Sequence, residues 1–572
     1  MSESAPSATP NGPATPQLTR NEGLKSSNPG LAATITSTLA DASADHFTDD
    51  DKEFLKFHGC YQQDDRDLRK AGKQYIMMVR GRIPGGIMTP AQWITFDDLA
   101  ANYGNNTLRI TTRQSIQFHG ILKSNLRSLI KGINDCLLST LAACGDVNRN
   151  VMAAPTPVQT TARAEMMKDV FRVVEALAPK TKAYHSIWID GVEIPTDNPV
   201  NKDFADPLYG PQYLPRKFKC AFVMPPVNDM DVFTNDQGFI AIIENGKLAG
   251  YNLCVGGGMG RSHGNEATYP RLADVLGFFT KEHIVEIAQA VLTIHRDFGD
   301  RTDRKHARLK YVVQEKGADW TRAEVEKRAG IKLEDARPFK FTTTGDVYGW
   351  HTALDGKWFL TLFVETGRVK DQQKVALRRI AEKFSKVEFR LTANQNVIIA
   401  NVSEADKAAI NAVFAEHGVK TENQAGVLHS AAMACPALPT CGLALAESER
   451  MLPNLIDRIE KLCAEVGLAG EEIIIRSTGC PNGCARPYMA EIAFVGKAPG
   501  RYQLWLGGNT AGTRLNRVWK DVVKDPEIEA ELRPLLSRYA TERNDGERFG
   551  DWTARVLWIE QTHSATSVAA LA

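Results

Sequence analysis

Four cysteines fall in two short segments rich in proline and glycine, Cys435-Pro-Ala-Leu-Pro-Thr-Cys441 and Cys480-Pro-Asn-Gly-Cys484. Four thiolates gathered from such loops suit a tetrahedral zinc ion or an iron–sulfur cluster. Structural zinc sites usually set paired ligands about two to four residues apart, so the wider first gap counts against zinc. A cubane presents iron corners farther apart than the ligands of one ion, and the looser spacing fits it. Spacing alone therefore favours a cluster, with zinc and chance proximity left as the other readings. The prolines remove donors and stiffen the loops, while Gly483 permits close backbone approach to a metal centre. The other six cysteines stand alone and read as small buried hydrophobes, Cys463 on the apolar face of a helical pattern.

Basic residues recur at anion-binding spacing. Arg80 and Arg82 stand two apart, as do Lys217 and Lys219, the spacing that puts both side chains on one face of a strand. Arg149 sits in Asn148-Arg149-Asn150, and Arg113, Gln117 and His119 supply further donors within one nine-residue stretch. Singly, each reads as solvated surface charge. Together they form a cation set for a small or multiply charged anion. Lys and Arg total 69 against 68 Asp and Glu, net +1, so bulk charge gives no sign of nucleic acid or an anionic membrane. The glycine run Gly256-Gly-Gly-Met-Gly260 lacks a following apolar helix and a surrounding βαβ unit, so a dinucleotide loop is not expected. Electrons would then have to come from another protein.

These groups must be positioned by a chain of 572 residues, long enough for roughly three to four domains. Its 43% hydrophobic and 24% charged residues are ordinary for a globular protein, and no apolar run approaches the roughly 18 residues of a membrane span. A membrane protein, a collagen-like rod and a disulfide-stapled toxin are excluded; a large soluble, cytoplasmic enzyme is expected. Residues 1–48, rich in Ser, Ala, Thr, Pro and Gly, are expected to form a disordered tail without a secretory signal. Residues 239–243 and 248–255 flank Asn245-Gly246 as a hairpin, and 183–190 with 192–194 around Asp190-Gly191 look similar. Helical spacing occupies 162–178 and 451–466. Leu108-Arg-Ile-Thr-Thr-Arg-Gln-Ser-Ile116 is echoed by Phe389-Arg-Leu-Thr-Ala-Asn-Gln-Asn-Val397, and Tyr251-Asn-Leu-Cys-Val-Gly-Gly257 by Tyr502-Gln-Leu-Trp-Leu-Gly-Gly508. Two echoes in one order indicate a duplicated two-domain α+β unit with pseudo-twofold symmetry, whose interface would hold a cofactor touching both copies.

The cysteine pattern, Asn148-Arg149-Asn150, Leu214-Pro-Arg-Lys-Phe-Lys219 and the duplicated Thr-x-x-Gln strand together resemble the sulfite/nitrite reductase family. Phe57-His-Gly-Cys-Tyr-Gln-Gln-Asp-Asp-Arg-Asp67 is similar to its subfamily of hemoprotein (beta) subunits of NADPH-linked sulfite reductases, and the likeness runs from about residue 50 to about 560. The resemblance implies ferredoxin-like half-domains at 49–135 and 341–425, a siroheme and substrate domain at 136–340, and an iron–sulfur and siroheme domain at 426–572. By resemblance Cys435, Cys441, Cys480 and Cys484 hold a [4Fe–4S] cluster, with the Cys484 thiolate shared axially with the siroheme iron. Arg113, Gln117, His119, Asn148 and Asn482 are the implied siroheme contacts. Arg80, Arg149, Lys217 and Lys219 are implied to bind sulfite, with Arg82 the substitute should Arg80 point elsewhere. The implied activity is six-electron reduction of sulfite to sulfide in sulfate assimilation and cysteine biosynthesis. NADPH, FAD and FMN would reside on a partner flavoprotein in a hetero-oligomer. A ferredoxin-dependent sulfite or nitrite reductase is the alternative, although Lys219 favours sulfite, nitrite-specific relatives commonly having Asn there. A zinc-stabilised binding protein is the alternative outside enzymes. Ala485 departs from the family's usual Gly after the last cysteine, which bears on loop geometry and leaves the ligand set intact.

Overall fold

The Thr-x-x-Gln echo builds the same hairpin twice. Strands Leu108–Ile110 and Ile116–Ile121 pair antiparallel across a turn closed by Thr111 N–H donating to Ser115 O at 2.8 Å. Strands Glu388–Leu391 and Val397–Val402 do so across one closed by Thr392 N–H to Asn396 O at 2.9 Å. Gln114 and Gln395 take left-handed backbone, φ +50° and +74°, and each side chain then reaches out of its hairpin. Gln114 clamps Ala153, donating to its carbonyl at 2.8 Å and accepting from its N–H at 2.9 Å. Gln395 clamps Ala434 in the same way, at 2.9 and 3.3 Å. Each turn thus fastens a half-domain to the edge of a second sheet. The computed structural model describes residues 17–157, 161–181, 188–189, 192–193, 205–422 and 425–558.

Two further sheets carry the second echo, and their topologies match strand for strand. One runs Met152–Ala153, Cys220–Val223, Gln237–Glu244, Lys247–Val255 and Asp274–Thr280. The other runs Met433–Ala434, Ile475–Thr478, Ile492–Ala498, Arg501–Leu506 and Arg517–Lys524. In each, the first three strands are parallel and the last two antiparallel. The echoed Gly257 and Gly508 lie where a Cβ would sit 2.1 Å from Phe233 O and 2.2 Å from Met489 O, which is why both copies need glycine. The half-domains go further and exchange edge strands: Arg368–Val369 completes the sheet of residues 60–121, and Ile87–Met88 completes that of residues 349–402. Reciprocal exchange gives the half-domains one shared core, with Trp93 stacked on Phe389 at 4.6 Å. The duplicated α+β organisation expected from the echoes is therefore present.

The Asn245-Gly246 hairpin forms with both residues at positive φ, 51° and 74°, as a primed turn requires. Helices Thr161–Ala176 and Leu452–Glu465 occupy the expected segments. Strands Trp188–Ile189 and Val192–Glu193 pair, but the Asp190-Gly191 turn lies outside the described residues. The tail expectation fails for residues 17–48, which form helices Arg20–Ser27 and Ile35–Ala40. Leu31 is fully buried there, and Lys25 and Glu22 bury as a 2.6 Å ion pair that Lys25 extends to Leu214 O at 2.8 Å. Composition mislabels this stretch because paired charges, which read as solvated, carry part of the docking; residues 1–16 lie outside the described residues.

Candidate functional site

Both cysteine loops leave the ends of neighbouring parallel strands, Met433–Ala434 and Ile475–Thr478. Cys435 follows Ala434, whose carbonyl accepts from Gln395 and from Arg109 Nη2 at 2.8 Å. Gly479 N–H donates to Cys435 Sγ at 3.3 Å, and a Cβ there would lie 2.5 Å from Ala437 Cβ and 2.6 Å from Ala446 O. Glycine thereby lets the two loops touch. Arg66 ties the first loop from outside, donating to Cys441 O at 2.9 Å and Ala444 O at 2.8 Å. The second loop is held by Arg261 N–H to Pro481 O at 2.9 Å and by Thr112 Oγ1–H to Cys484 O at 2.8 Å. Asn482 Nδ2 donates to Cys480 Sγ at 3.4 Å. The glycine run at 256–260 is packing surface for this loop: Met259 O lies 3.2 Å from where a Gly483 Cβ would be.

The four thiols feel one another. Burial and the neighbouring Cys484 push Cys480 up to about 12, and burial with the same company holds Cys435 well above the ordinary thiol range. Cys441 is raised by burial. A bound cation reverses this, because thiolates are the ligating form. Among the described residues the only group of three or more candidate ligands mutually within 4.8 Å is His429, Asp457 and Glu460, so no three of these sulfurs are that close. One tetrahedral zinc would draw its sulfurs to about 3.8 Å, given Zn–S near 2.3 Å. Their spacing is wider than a single tetrahedral ion requires.

Cys484 is the exposed member of the four, and cations gather beside it. Its charge acts on Lys217 and on Arg80. Arg80 donates to Cys144 Sγ at 3.0 Å, and Gln117, its amide oxygen turned toward Arg80, accepts from Nε at 3.3 Å and Nη2 at 2.5 Å. Burial, then Arg216, Arg308 and Arg149, push Lys217 down to about 7. Burial, then Arg113 and Lys217, hold Lys219 well below the ordinary lysine range. Among the described residues neither ammonium makes a hydrogen bond or ion pair. Arg113 donates to Asn235 Oδ1 at 3.0 Å and Asn150 O at 2.6 Å, and burial with Arg149 lowers it to about 9. Arg113 Nε, both amide atoms of Asn148 and Asn150 Oδ1 are buried without a partner among the described residues. Crowded cations, with the orphaned donors Arg113 Nε and Asn148 Nδ2, fit a polyanionic ligand with many acceptors, which a carboxylate-bearing tetrapyrrole is.

The expected residues do not all converge. Arg82 turns away: the strand Tyr75–Arg80 ends before Gly81, so the alternation rule no longer applies, and Arg82 Nη2 reaches Val174 O at 3.5 Å. His119 is buried, with burial and Arg368 holding it well below its ordinary pKa and hence neutral; it stands beside Arg109, Glu449 and Arg368. That triad went unread. Glu449 accepts from Arg109 Nε at 2.8 Å and Arg368 Nε at 2.7 Å, and the echo had marked only Arg109. Arg66, in a segment already noted, carried no signal of its partner loop.

Comparison with known proteins adds the following. The family model for the nitrite and sulphite reductase 4Fe-4S domain matches residues 168–333, and that for the nitrite/sulfite reductase ferredoxin-like half domain matches 69–136 and 351–417. The first match covers the earlier copy of the second sheet domain; the four cysteines lie in its later copy. A protein named sulfite reductase [NADPH] hemoprotein beta-component from Shouchella clausii is 48% identical over 555 residues, 95% of this chain and 96% of the relative. One of the same name from Geobacillus kaustophilus is 48% identical over 96% of this chain and 97% of the relative. Another, from Myxococcus xanthus, is 47% identical over 94% and 96%. The solved structure of the Mycobacterium tuberculosis NirA protein aligns over 94% of this chain and 96% of its own, with TM-score 0.75 and 23% identity, a likeness of fold.

Proposed function

The chain belongs to the nitrite and sulfite reductase family, and we propose that within it the protein is the hemoprotein component of an NADPH-linked sulfite reductase, taking sulfite to sulfide in six electrons. The observation that carries this reading is Cys484, one of four clustered thiols, opening onto unpaired Lys217 and Lys219 beside Arg80. Cys435, Cys441, Cys480 and Cys484 would hold the [4Fe–4S] cluster, and Arg113, Gln117, Asn148 and the exposed Cys484 would hold the siroheme. When bound, these groups would supply single-electron transfer and activation of the substrate.

The chain's own residues handle charge and protons. Arg80 and Arg149 orient the oxyanion and stay charged throughout, since a guanidinium rarely gives up its proton. Each oxygen leaving as water takes protons, and Lys217, with a pKa near 7, can give one and regain it at neutral pH. Lys219, directly before the strand Cys220–Val223, would share the task. Lys219 also favours sulfite over nitrite as the natural substrate. The electron donor would be a separate flavoprotein carrying FAD and FMN, and the location cytoplasmic. Among the described residues no helix is long and apolar enough to cross a membrane.

The test is turnover of the cofactor-loaded protein with a reduced viologen dye. Six dye electrons consumed per sulfide released is the expected result; a loaded protein making no sulfide overturns the reading. Pull-down by a FAD/FMN flavoprotein rather than by ferredoxin is expected for the partner.

A further inference from the structure

Behind Arg149 the fold leaves a cavity of about 30 Å³ between helices Arg20–Ser27 and Asp49–Phe57 and the loops carrying Arg149 and Arg216. That is room for about two ordered waters, or one small anion of similar bulk. Asn21, Glu53 and Lys56, all half-buried, form its outer side; Tyr61, Arg149 and Arg216 form its inner wall.

The charges on these walls do not balance. Lys56 is paired with Glu53. Arg304 and Lys25 converge on Asp146 at 2.7 and 3.6 Å, and Lys25 is further paired with Glu22. Arg149 and Arg216 have no carboxylate of their own. Arg149 spends Nε on Gly145 O at 2.9 Å, and among the described residues Arg216 makes no hydrogen bond or ion pair, the acid that acts on it, Asp146, being already shared. Two guanidiniums on one small cavity, with every nearby acid engaged, form a site for an anion that the chain does not supply. Burial and repulsion from Arg304 lower Arg216 to about 10, in the direction that anion binding relieves. Arg149 lines this cavity and also acts electrostatically on Lys217 and Arg113, so its charge links the cavity to the cation pocket beside Cys484.

We propose that this cavity is a waiting site for a small inorganic anion, with Arg216 as its principal contact, from which sulfite passes Arg149 to the reduction pocket. The inference rests on the sulfite-reductase reading above; Arg216 acts in capture, and on Lys217 only through its charge. The loaded enzyme, with reduced viologen as donor, is compared with Arg216→Gln, Arg216→Lys and Leu24→Phe, the last intruding on the cavity from the first helix. Leu24→Phe and Arg216→Gln are expected to raise the sulfite KM about tenfold with the visible spectrum unchanged and with kcat unchanged on the acid side of the alkaline fall set by Lys217, and Arg216→Lys to keep the low KM. Chloride is expected to compete with sulfite in the parent enzyme and not in Arg216→Gln.

An unchanged KM in Arg216→Gln overturns the proposal while leaving the sulfite-reductase reading standing. Loss of chloride competition without a KM change means that the site takes anions off the substrate route, and overturns it equally. A fall in kcat with KM constant would assign Arg216 to the chemistry and contradict capture. Absence of sulfide from the parent enzyme is the separate failure of the underlying reading.

Discussion

Lys217 and Lys219 stand among Arg113, Arg149 and Arg216, with Asp236 the one acid acting on Lys219, and that environment decides what each can do. Lys219→Met is predicted to leave the visible spectrum of the loaded enzyme intact and to cut sulfide production about 10²- to 10⁴-fold, the usual worth of a general acid. An unchanged rate would remove Lys219 from proton delivery. Lys217 gives a pH test. Its pKa lies near 7 in the free protein, and only the protonated form can donate, so the rate falls as pH rises through its pKa, which a bound anion moves upward. In Lys217→Arg the charge persists but the proton is not released, so turnover is lost while sulfite binding, read by a spectral shift, is retained. A variant that keeps both the rate and the alkaline fall would show that the proton comes from elsewhere. At this scale spacing foretold that the two cysteine segments meet, as they do at Gly479. It was silent on Arg66, Glu449 and Thr112, whose partners come from distant segments and which carry no local pattern.

The two cysteine loops work as one element because nothing but hydrogen separates them at Gly479. Gly479→Ala puts a methyl 2.5 Å from Ala437 Cβ and must push the loops apart. The variant is predicted to fold, with unchanged far-ultraviolet circular dichroism, and to purify with less than half the iron of the parent; full iron would show that the loops accommodate the methyl. The same close fit explains which elements could be read in advance. Hairpins and helices declared themselves through turn residues and periodicity, as at Asn245-Gly246 and 452–465. The helix at 20–27 did not, because Lys25 and Glu22 look like surface residues until Asp146, Arg301 and Leu214 enclose them. The Arg80/Arg82 pairing misled for the opposite reason: the spacing was right for a strand that Gly81 has already ended.

Across the whole molecule the duplication is bound together by a few buried charges. Arg109 comes from one half-domain, Arg368 from the strand lent by the other, and Glu449 from the domain that carries the cysteines. Asp231 of the first copy likewise meets Arg476 at 2.7 Å and Arg486 at 2.6 Å in the second. Burial would raise the Glu449 carboxyl, but Arg109 and Arg368 outweigh it and bring its pKa to about 2. An unfolded glutamate ionises near 4.3, so this group stabilises the fold fully above that pH and loses the contribution as pH falls toward 2, on the order of 3 kcal/mol. Glu449→Gln is predicted to lower stability by about that much at pH 7 and to flatten the acid dependence between about pH 4.5 and 2, as urea unfolding across that range would read. An unaltered acid slope would mean that the triad does not hold the copies together. The echoes disclosed the duplication, but the strand exchange was hidden, since two-residue strands leave no periodicity to read. The central claim, that the four cysteines enclose one cluster beside a tetrapyrrole, is tested most directly by iron, labile sulfide and visible absorption measured together on the purified protein. The account predicts strong visible bands and iron exceeding labile sulfide by one per chain; a colourless protein holding zinc without labile sulfide would contradict it.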